Sequence, residues 1–523
     1  NMSKKEYAFK SAKRPSNNAK KVIERFNSQI FGLYQQNKIQ EALMLSQQAL
    51  KQFPNDPMLL SNAGAFALLL NNLIIAEKYL KKTISIDPNN IRAHNNLANL
   101  FQQQKHFVKA QTHFKNALKI SPNFIDSHYG LANLYLEGKD LNKAKEQYQK
   151  TLKLDPNHIN AYKNLAEVYK KQKHLNEAQG CYQTILKIDP NDVNAQSNLS
   201  VILLSLGRLQ LGWQTYESRY HTDIKNQQSF FPNIDIKQYN GEDLNGKNLL
   251  IYPEQGFGDE IQFIRYLPLL KSQKGVKEIM LICKPGLEAL FNSMECIDYL
   301  FNVETFQKID NLQGIDHWMF IMSLPLHFNT TLETIPNSLP YLSSPQEKQD
   351  KWKDKLPQGV NIGLVWKGRK IHKNDEIRSL SSIKTLKPLW DLKEKLKDKV
   401  NLNFISLQKS EGEEEAQNPP TDQPLIHLGT DIQDFSDTAA IVSQLDLVIC
   451  VDTAIAHLAG SLNTPCWVLL PYYGTDWRWM EDRDDSLWYP DIMTLFRQSQ
   501  EGDWSEVIQN VTNTLENLMH TKI

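Results

Sequence analysis

Pro54, Pro88, Pro122, Pro156 and Pro190 recur every 34 residues, and three of them sit in the same tripeptide, Asp-Pro-Asn. Small residues keep the same period: Ala42, Ala76, Ala110, Ala144 and Ala178, with Leu-Ala pairs at 97–98, 131–132 and 165–166. A unit of this length cannot bury its own apolar face, so units must stack in a line. Alanine at fixed points lets two antiparallel helices approach closely, while Phe114, Tyr148 and Tyr182 fill the gap between them. Proline ends the second helix because it cannot continue one.

This pattern resembles the tetratricopeptide repeat and covers about residues 23–220, as five full units and a degenerate sixth. The sixth has Gly212 in place of the periodic alanine and lacks the closing proline. Asn62, Asn96, Asn164 and Asn198 share one phase, with Gly130 at the missing rung, while Asn99 and Asn133 hold a second phase three residues on. An amide both donates and accepts, so a row of them can grip an extended peptide by its backbone. The array resembles the superhelix of O-GlcNAc transferases, which implies a protein acceptor on an asparagine ladder. Asparagine at this phase also ties neighbouring helices of such repeats together, and both readings stand at this point.

After Tyr220 the rhythm stops. Residues 1–22 read as a basic polar tail and 221–246 as a polar connector. Beyond it, apolar runs near 250, 281, 319, 363, 404, 448 and 468 alternate with helical stretches. Runs of this kind are strands buried on both faces, hence parallel sheets with helical crossovers. A proline-bearing break between Pro340 and Pro357 divides them into two facing doubly wound domains, 247–345 and 360–503. The fold class expected is an α-solenoid followed by an α/β pair of parallel-sheet domains. The closing helix, 504–523, is expected to pack back on the first sheet domain. Ligands of such sheets bind at the carboxyl ends of the strands.

Charge and cysteine content narrow the partners. Lys plus Arg equals Asp plus Glu at 59 each, so no net field draws the chain to nucleic acid or an anionic membrane. No stretch reaches the roughly 18 to 20 apolar residues of a membrane span, and the N-terminus lacks the apolar core of a secretory signal. Cys181, Cys283, Cys296, Cys450 and Cys466 are scattered without a CxxC spacing and read as reduced, buried residues of a cytoplasmic protein.

Two strand-to-helix turns carry the chemistry. "NLLIYPEQGFGDE" places Gly256, Gly258 and Asp259 where a helix starts; the glycines allow a ligand near the backbone, and Asp259 either caps the helix or takes a proton from an incoming hydroxyl. The turn matches neither the dinucleotide fingerprint nor the phosphate loop. "LVICVDTAIAHLAG" sets Asp452, Thr453 and Ala454 at a second helix start suited to a diphosphate, with His457 on its first turn. In "DWRWMEDRDD", Trp477 and Arg478 could stack on a base or sugar and pair with an acid, or pin the loop to the body; "DRDD" is read as helical and set aside as a metal motif.

"GFGDEIQFIRYLPLL" with "VDTAIAHLAGSLNTPCWVLLP" resembles the two signature regions of lipopolysaccharide heptosyltransferases, which are GT-B glycosyltransferases working without a metal. The later segments look like bacterial tetratricopeptide-repeat glycosyltransferases. The resemblance implies Asp259 as general base, with Glu254 as the alternative, and Asp452, Thr453, Ala454 and His457 around the diphosphate. Lys367 and Arg378 are the natural cations for the leaving group. Ala454 stands where heptosyltransferases often carry glycine. No His-Pro stretch of the O-GlcNAc transferase kind occurs in the first sheet domain. The implied reaction is inverting transfer from a nucleotide sugar, the co-substrate, to a protein acceptor such as a flagellin, with no further cofactor and no metal. A lipid or polysaccharide acceptor, or a non-catalytic scaffold, are the alternatives.

Overall fold

The computed structural model describes residues 17–220, 232, 234–309, 312–370 and 374–522; most of the expected tail and the first part of the polar connector lie outside them. The chain forms two compact units, 1–169 and 170–523. Among the described residues twelve helices come first: α1 (Asn17–Gln35), α2 (Ile39–Gln52), α3 (Pro57–Leu69), α4 (Leu73–Ile86), α5 (Ile91–Gln103), α6 (Phe107–Ile120), α7 (Ile125–Glu137), α8 (Leu141–Leu154), α9 (Ile159–Lys171), α10 (Leu175–Ile188), α11 (Val193–Ser205) and α12 (Leu209–Tyr216). They pair in sequence as a helical solenoid, and each of the periodic prolines stands two residues beyond the end of an even-numbered helix.

Burial follows the repeat. Ala42, Ala76, Ala110, Ala144 and Ala178 are all fully buried, as are Phe114 and Tyr148. Gly130 interrupts the asparagine phase for a steric reason: a Cβ there would lie 2.4 Å from the Phe114 ring. Two regularities escape a search for apolar period. Asn37, Asn71, Lys105, Lys139, Lys173 and Gly207, again 34 apart, take left-handed φ of 58° to 71° between the paired helices. The carbonyls of Pro88, Pro122 and Pro190 accept hydrogen bonds from His94 Nε2, His128 Nε2 and Gln196 Nε2 at 3.0, 2.8 and 2.8 Å, each donor six residues on. The side chain thereby satisfies a turn carbonyl that the helix cannot.

The sheets are wholly parallel. In the first, β1 (Asn248–Tyr252), β2 (Glu278–Cys283), β3 (Tyr299–Asn302) and β4 (His317–Phe320) take the order β3-β2-β1-β4. In the second, β5 (Val360–Val365), β6 (Leu402–Ser406), β7 (Ile426–His427), β8 (Leu447–Val451), β9 (Cys466–Leu470) and β10 (Met493–Arg497) take the order β10-β9-β8-β5-β6-β7. All seven expected strands are present. β3, β7 and β10 were not expected; all three sit at sheet edges and are only partly covered, and β3 and β7 are also short.

Five further helices matter below: α13 (Phe257–Phe263), α14 (Lys387–Leu396), α15 (Phe435–Val442), α16 (Ala454–Ser461) and α17 (Ser505–Lys522). The last corrects an expectation. Val507, Ile508, Val511, Leu515 and Met519 of α17 join one buried cluster with Leu389, Leu392 and Leu396 of α14 and Ile362 and Leu364 of β5, so the closing helix covers the second sheet and not the first. Its apolar stripe matches a face of that sheet that only α14 and its neighbours otherwise cover. "DRDD" is likewise no helix; Asp485 bridges to Thr494 beside β10. Cys181, Cys283, Cys450 and Cys466 are buried free thiols, while Cys296 is only half-buried.

The Gly130 contact makes a stability prediction. Gly130→Ala should lower the unfolding free energy by about 1–3 kcal/mol through overpacking. Phe114→Leu in that background should recover part of the loss, a non-additive result that urea unfolding of the single and double variants would reveal.

Candidate functional site

The carboxyl ends of both sheets open onto one cleft of about 730 Å³. The turn after β1 contributes Gly256, Phe257, Gly258 and Asp259; the second domain contributes Lys367, Arg369, Arg378, Gln408, Lys409, Asp434, Asp452, Thr453, Ala454, His457, Asp476 and Arg478. Ten of the sequence-predicted residues therefore meet in one place, and among the cleft's charged side chains cations outnumber acids by five to four.

Asp259 stands in the first turn of α13, where its Oδ2 accepts from the Gly256 amide at 2.6 Å. Its Oδ1 accepts from Arg478 Nη2 of the opposite domain. Arg478 Nη1 also donates to both oxygens of Asp476 at 3.0 Å, and Nε donates to Gln262 Oε1 on α13. Burial pushes the Asp259 carboxyl up, and Arg478 acts against that. Its role is thus double: it caps α13 and it carries a raised basicity into the cleft.

Two further helix N-termini, from the second sheet domain, face the cleft, and they differ. On α15 the N-cap Asp434 accepts from Ser436 N and Asp437 N at 2.8 and 3.2 Å, so that end is already closed by an acid. On α16 the N-cap Thr453 makes no side-chain cap, and its Oγ1 is buried with no partner among the described residues. The Ala456 amide turns back to the Thr453 carbonyl at 3.0 Å, while the amides of Ala454 and Ile455 ahead of it have no intrahelical acceptor and suit an anion. Arg378 Nη1 donates to the Asp452 carbonyl at 3.0 Å and so stands beside that turn. Lys367 is held by Glu415 at 2.6 Å.

Several expected residues act otherwise. Glu254 does not reach the cleft: it is 8% exposed and paired in two bonds with Arg219, Nε to Oε2 at 3.0 Å and Nη2 to Oε1 at 2.9 Å. Trp477 is also buried, edge-on to Trp213 at 5.1 Å, so it anchors the loop rather than stacking on a ligand. Gly258 serves packing, since a Cβ there would come within 2.9 Å of His457 Cδ2; its bareness brings α13 against α16. His457 is a neutral fixture, its basicity lowered by burial and by Arg478, with Nδ1 2.9 Å from Tyr489 Oη and its ring stacked on Trp479. Sequence reasoning passed over Arg369, Gln408, Lys409, Asp434 and Asp476. Asp434 alone had a signal, standing as N-cap before an apolar helical run.

The asparagines of the repeats divide as well. Asn62, Asn96 and Asn99 line a groove of about 870 Å³ with Phe31, Tyr34 and Leu69, and Asn62 donates to Asn27 Oδ1 at 3.1 Å. Asn133 and Asn164 are bonded to each other at 2.9 Å and to Tyr148 and Tyr129. Asn198 donates to the Asn194 carbonyl of its own helix at 2.8 Å. The expected row is therefore not a continuous ladder: half of its amides brace the repeats.

Residues 91–124 and 136–202 each match a tetratricopeptide repeat family. The chain is 28% identical to Protein FlbA of Caulobacter vibrioides over 338 residues, 60% of this chain and 54% of that protein. It thus spans about half the length of that curated relative. Similar solved structures include a thermophilic TPR protein of Thermus thermophilus, 21% identical over 35% of this chain and 98% of that one, with a TM-score of 0.31. Another is a TPR protein with an unusual peptide-binding site, 18% identical over 35% of this chain and 92% of that one, with a TM-score of 0.30.

Asp452 offers a titration test. Burial, then Asp476, raise its acid from 3.8 to about 6 against the pull of Trp479, Arg378 and Arg478. A raised acid stabilises the fold while protonated, so its contribution is full below the unfolded value and is lost as pH climbs through about 6. Denaturant midpoints should show wild type losing stability relative to Asp452→Asn between pH 4 and 6 and no further change above 7. Separately, Arg478→Gln should cost about 3–5 kcal/mol, because two acids are left in a buried site without their cation; calorimetric unfolding would measure it.

Proposed function

We propose that the cleft binds a nucleotide sugar and transfers the sugar, with inversion, to a hydroxyl or amide of a protein held by the repeats. The observation that carries this reading is the uncapped N-terminus of α16, with Thr453 Oγ1 unpartnered among the described residues and Arg378 beside it, set across the cleft from a carboxylate of raised basicity. An anion of diphosphate size fits that end of the cleft on charge: open amides and a guanidinium meet the negative charge that grows on the leaving group. Asp434 closes the neighbouring helix end to phosphate and directs it to α16.

In this scheme the acceptor nucleophile approaches from the side of Asp259. Its proton passes to the carboxylate as its oxygen or nitrogen forms the bond to the anomeric carbon, and the bond from that carbon to the diphosphate oxygen breaks with its electron pair. Arg478 holds the base in place through Oδ1 while leaving lone pairs on both oxygens. The arriving proton then sits on an acid whose burial already favours the neutral form.

The repeats supply the acceptor half of the proposal. Amides of Asn96 and Asn99 line the groove with no hydrogen-bond partner among the described residues, next to the exposed rings of Phe31 and Tyr34. Such a wall suits an extended peptide held by its backbone. A flagellin-like acceptor is the member of that class that the sequence resemblance suggests.

UDP, GDP, ADP and CMP should be ranked by thermal shift. One of them should raise the melting temperature clearly at millimolar concentration, and a flat response to all four would end the reading. Asp259→Asn should then lower kcat by about 10²–10⁴ while the same nucleotide binds with unchanged affinity. Unchanged turnover would remove Asp259 as the base.

A further inference from the structure

The segment after β9, Pro471 to Trp479, reads "PYYGTDWRW" and supplies Pro471, Gly474, Thr475, Asp476 and Arg478 to the cleft. Its far end is anchored by Trp477, buried among Trp213, Phe263 and Trp488. Its near end is anchored by cations from outside the sheet domains. Lys171, the last residue of α9, donates to Tyr473 Oη at 2.9 Å and lies 4.2 Å from the centre of that ring. Lys173, in the turn that follows, lies 4.3 Å from the centre of the Tyr472 ring. Glu481, further along the same segment, faces Lys173 electrostatically. Two consecutive tyrosines are thus each covered by an ammonium, one from the end of α9 and one from the turn after it.

An ammonium on an aromatic face is worth most when partly desolvated, and both lysines are half-buried. The sheet domains also hold the near end: Gln498 Oε1 accepts from Tyr472 N at 3.0 Å, and Asn374 Nδ2 donates to the Gly474 carbonyl at 3.2 Å. Gly474 itself has φ of +70°, a bend between the tyrosines and Asp476. A segment bent there and tied at both ends presents Arg478 in one position.

We propose that Lys171 and Lys173 are positioning residues for the cleft: by gripping Tyr473 and Tyr472 they set the segment that aims Arg478, and through Arg478 they orient Asp259. The gripping itself is a property of the fold; its effect on turnover rests on the donor-site reading above. The turn also dictates the clean variant. Lys173 is left-handed, and asparagine occupies the equivalent positions 37 and 71, so Lys173→Asn removes the charge and keeps the turn.

The test compares wild type, the double variant Lys171→Gln/Lys173→Asn and the double variant Lys171→Arg/Lys173→Arg by hydrogen–deuterium exchange. Exchange of the peptide covering 472–481 should quicken about tenfold in the neutral pair and stay slow in the arginine pair, with β1 and β8 unchanged in both. Unchanged exchange in the neutral pair, or equal loosening in both pairs, would overturn the grip. With the sugar nucleotide of the base that wins the thermal-shift ranking, kcat of the neutral pair should fall about tenfold at a KM within about twofold of wild type, and the arginine pair should restore it. A loss confined to KM would overturn the positioning role. Absence of nucleotide binding by wild type would end the donor-site reading alone, and exchange would still decide the grip.

Discussion

Arg478 is a buried, permanently charged group held by carboxylates from two different domains. Asp476 stands two residues before it, and Asp259 comes from the turn after β1 in the other sheet domain. A guanidinium cannot shed its proton to escape burial, so every donor must find an acceptor in place. Gln262 takes the Nε donor, and the ring of Trp477 lies 4.4 Å below the guanidinium carbon. Satisfying this one side chain draws α13 and the segment after β9 together. The close approach of α13 to α16, which Gly258 permits, follows the same line.

The last two repeat helices belong to this arrangement. Trp213 of α12 packs edge-on to both Trp477 and Phe263, under the Arg478 segment. Just beyond α12, Arg219 takes both oxygens of Glu254, directly behind the turn that carries Gly256 and Asp259. The sixth repeat therefore departs from the consensus for a physical reason. Its second helix stops early and passes into a short 3-10 turn, Glu217–Tyr220, which carries Arg219 to its acid. Gly212 lets Leu204 sit where a Cβ would intrude. A regular repeat with its closing proline would have met solvent; this one meets a sheet domain.

Legibility tracked the range of the interaction that fixes each feature. The repeats were legible because the same local solution recurs and its small and large residues recur with it. Seven strands, six central and the edge strand β4, were legible as continuous apolar runs, while β3, β7 and β10 were not, since an edge strand needs no such run. At the cleft, Asp259, Asp452, Thr453 and Arg378 stood out because strand-to-helix turns and nearby cations have local signatures. Glu254 and Trp477 looked equally suited to a ligand. Both are instead consumed by partners distant in sequence, Arg219 and Trp213. Asn133 and Asn164 share that outcome: their repeat phase was legible, but not that the two amides would bond each other.

The sequence by itself determined the period of the solenoid, the parallel character of the sheets and the two turns at which a ligand can meet backbone amides, because each arises from residues close along the chain. Only the tertiary structure decided which polar groups those turns keep available. Asp434 closes one helix end and Thr453 leaves the other open, Arg478 spends its donors on acids from both domains, and α17 lies on the second sheet. The Asp434 cap is local, but the pairing of Arg478 with Asp259 and the burial of α17 act between residues that the chain brings together only on folding, and no short window of sequence contains both partners.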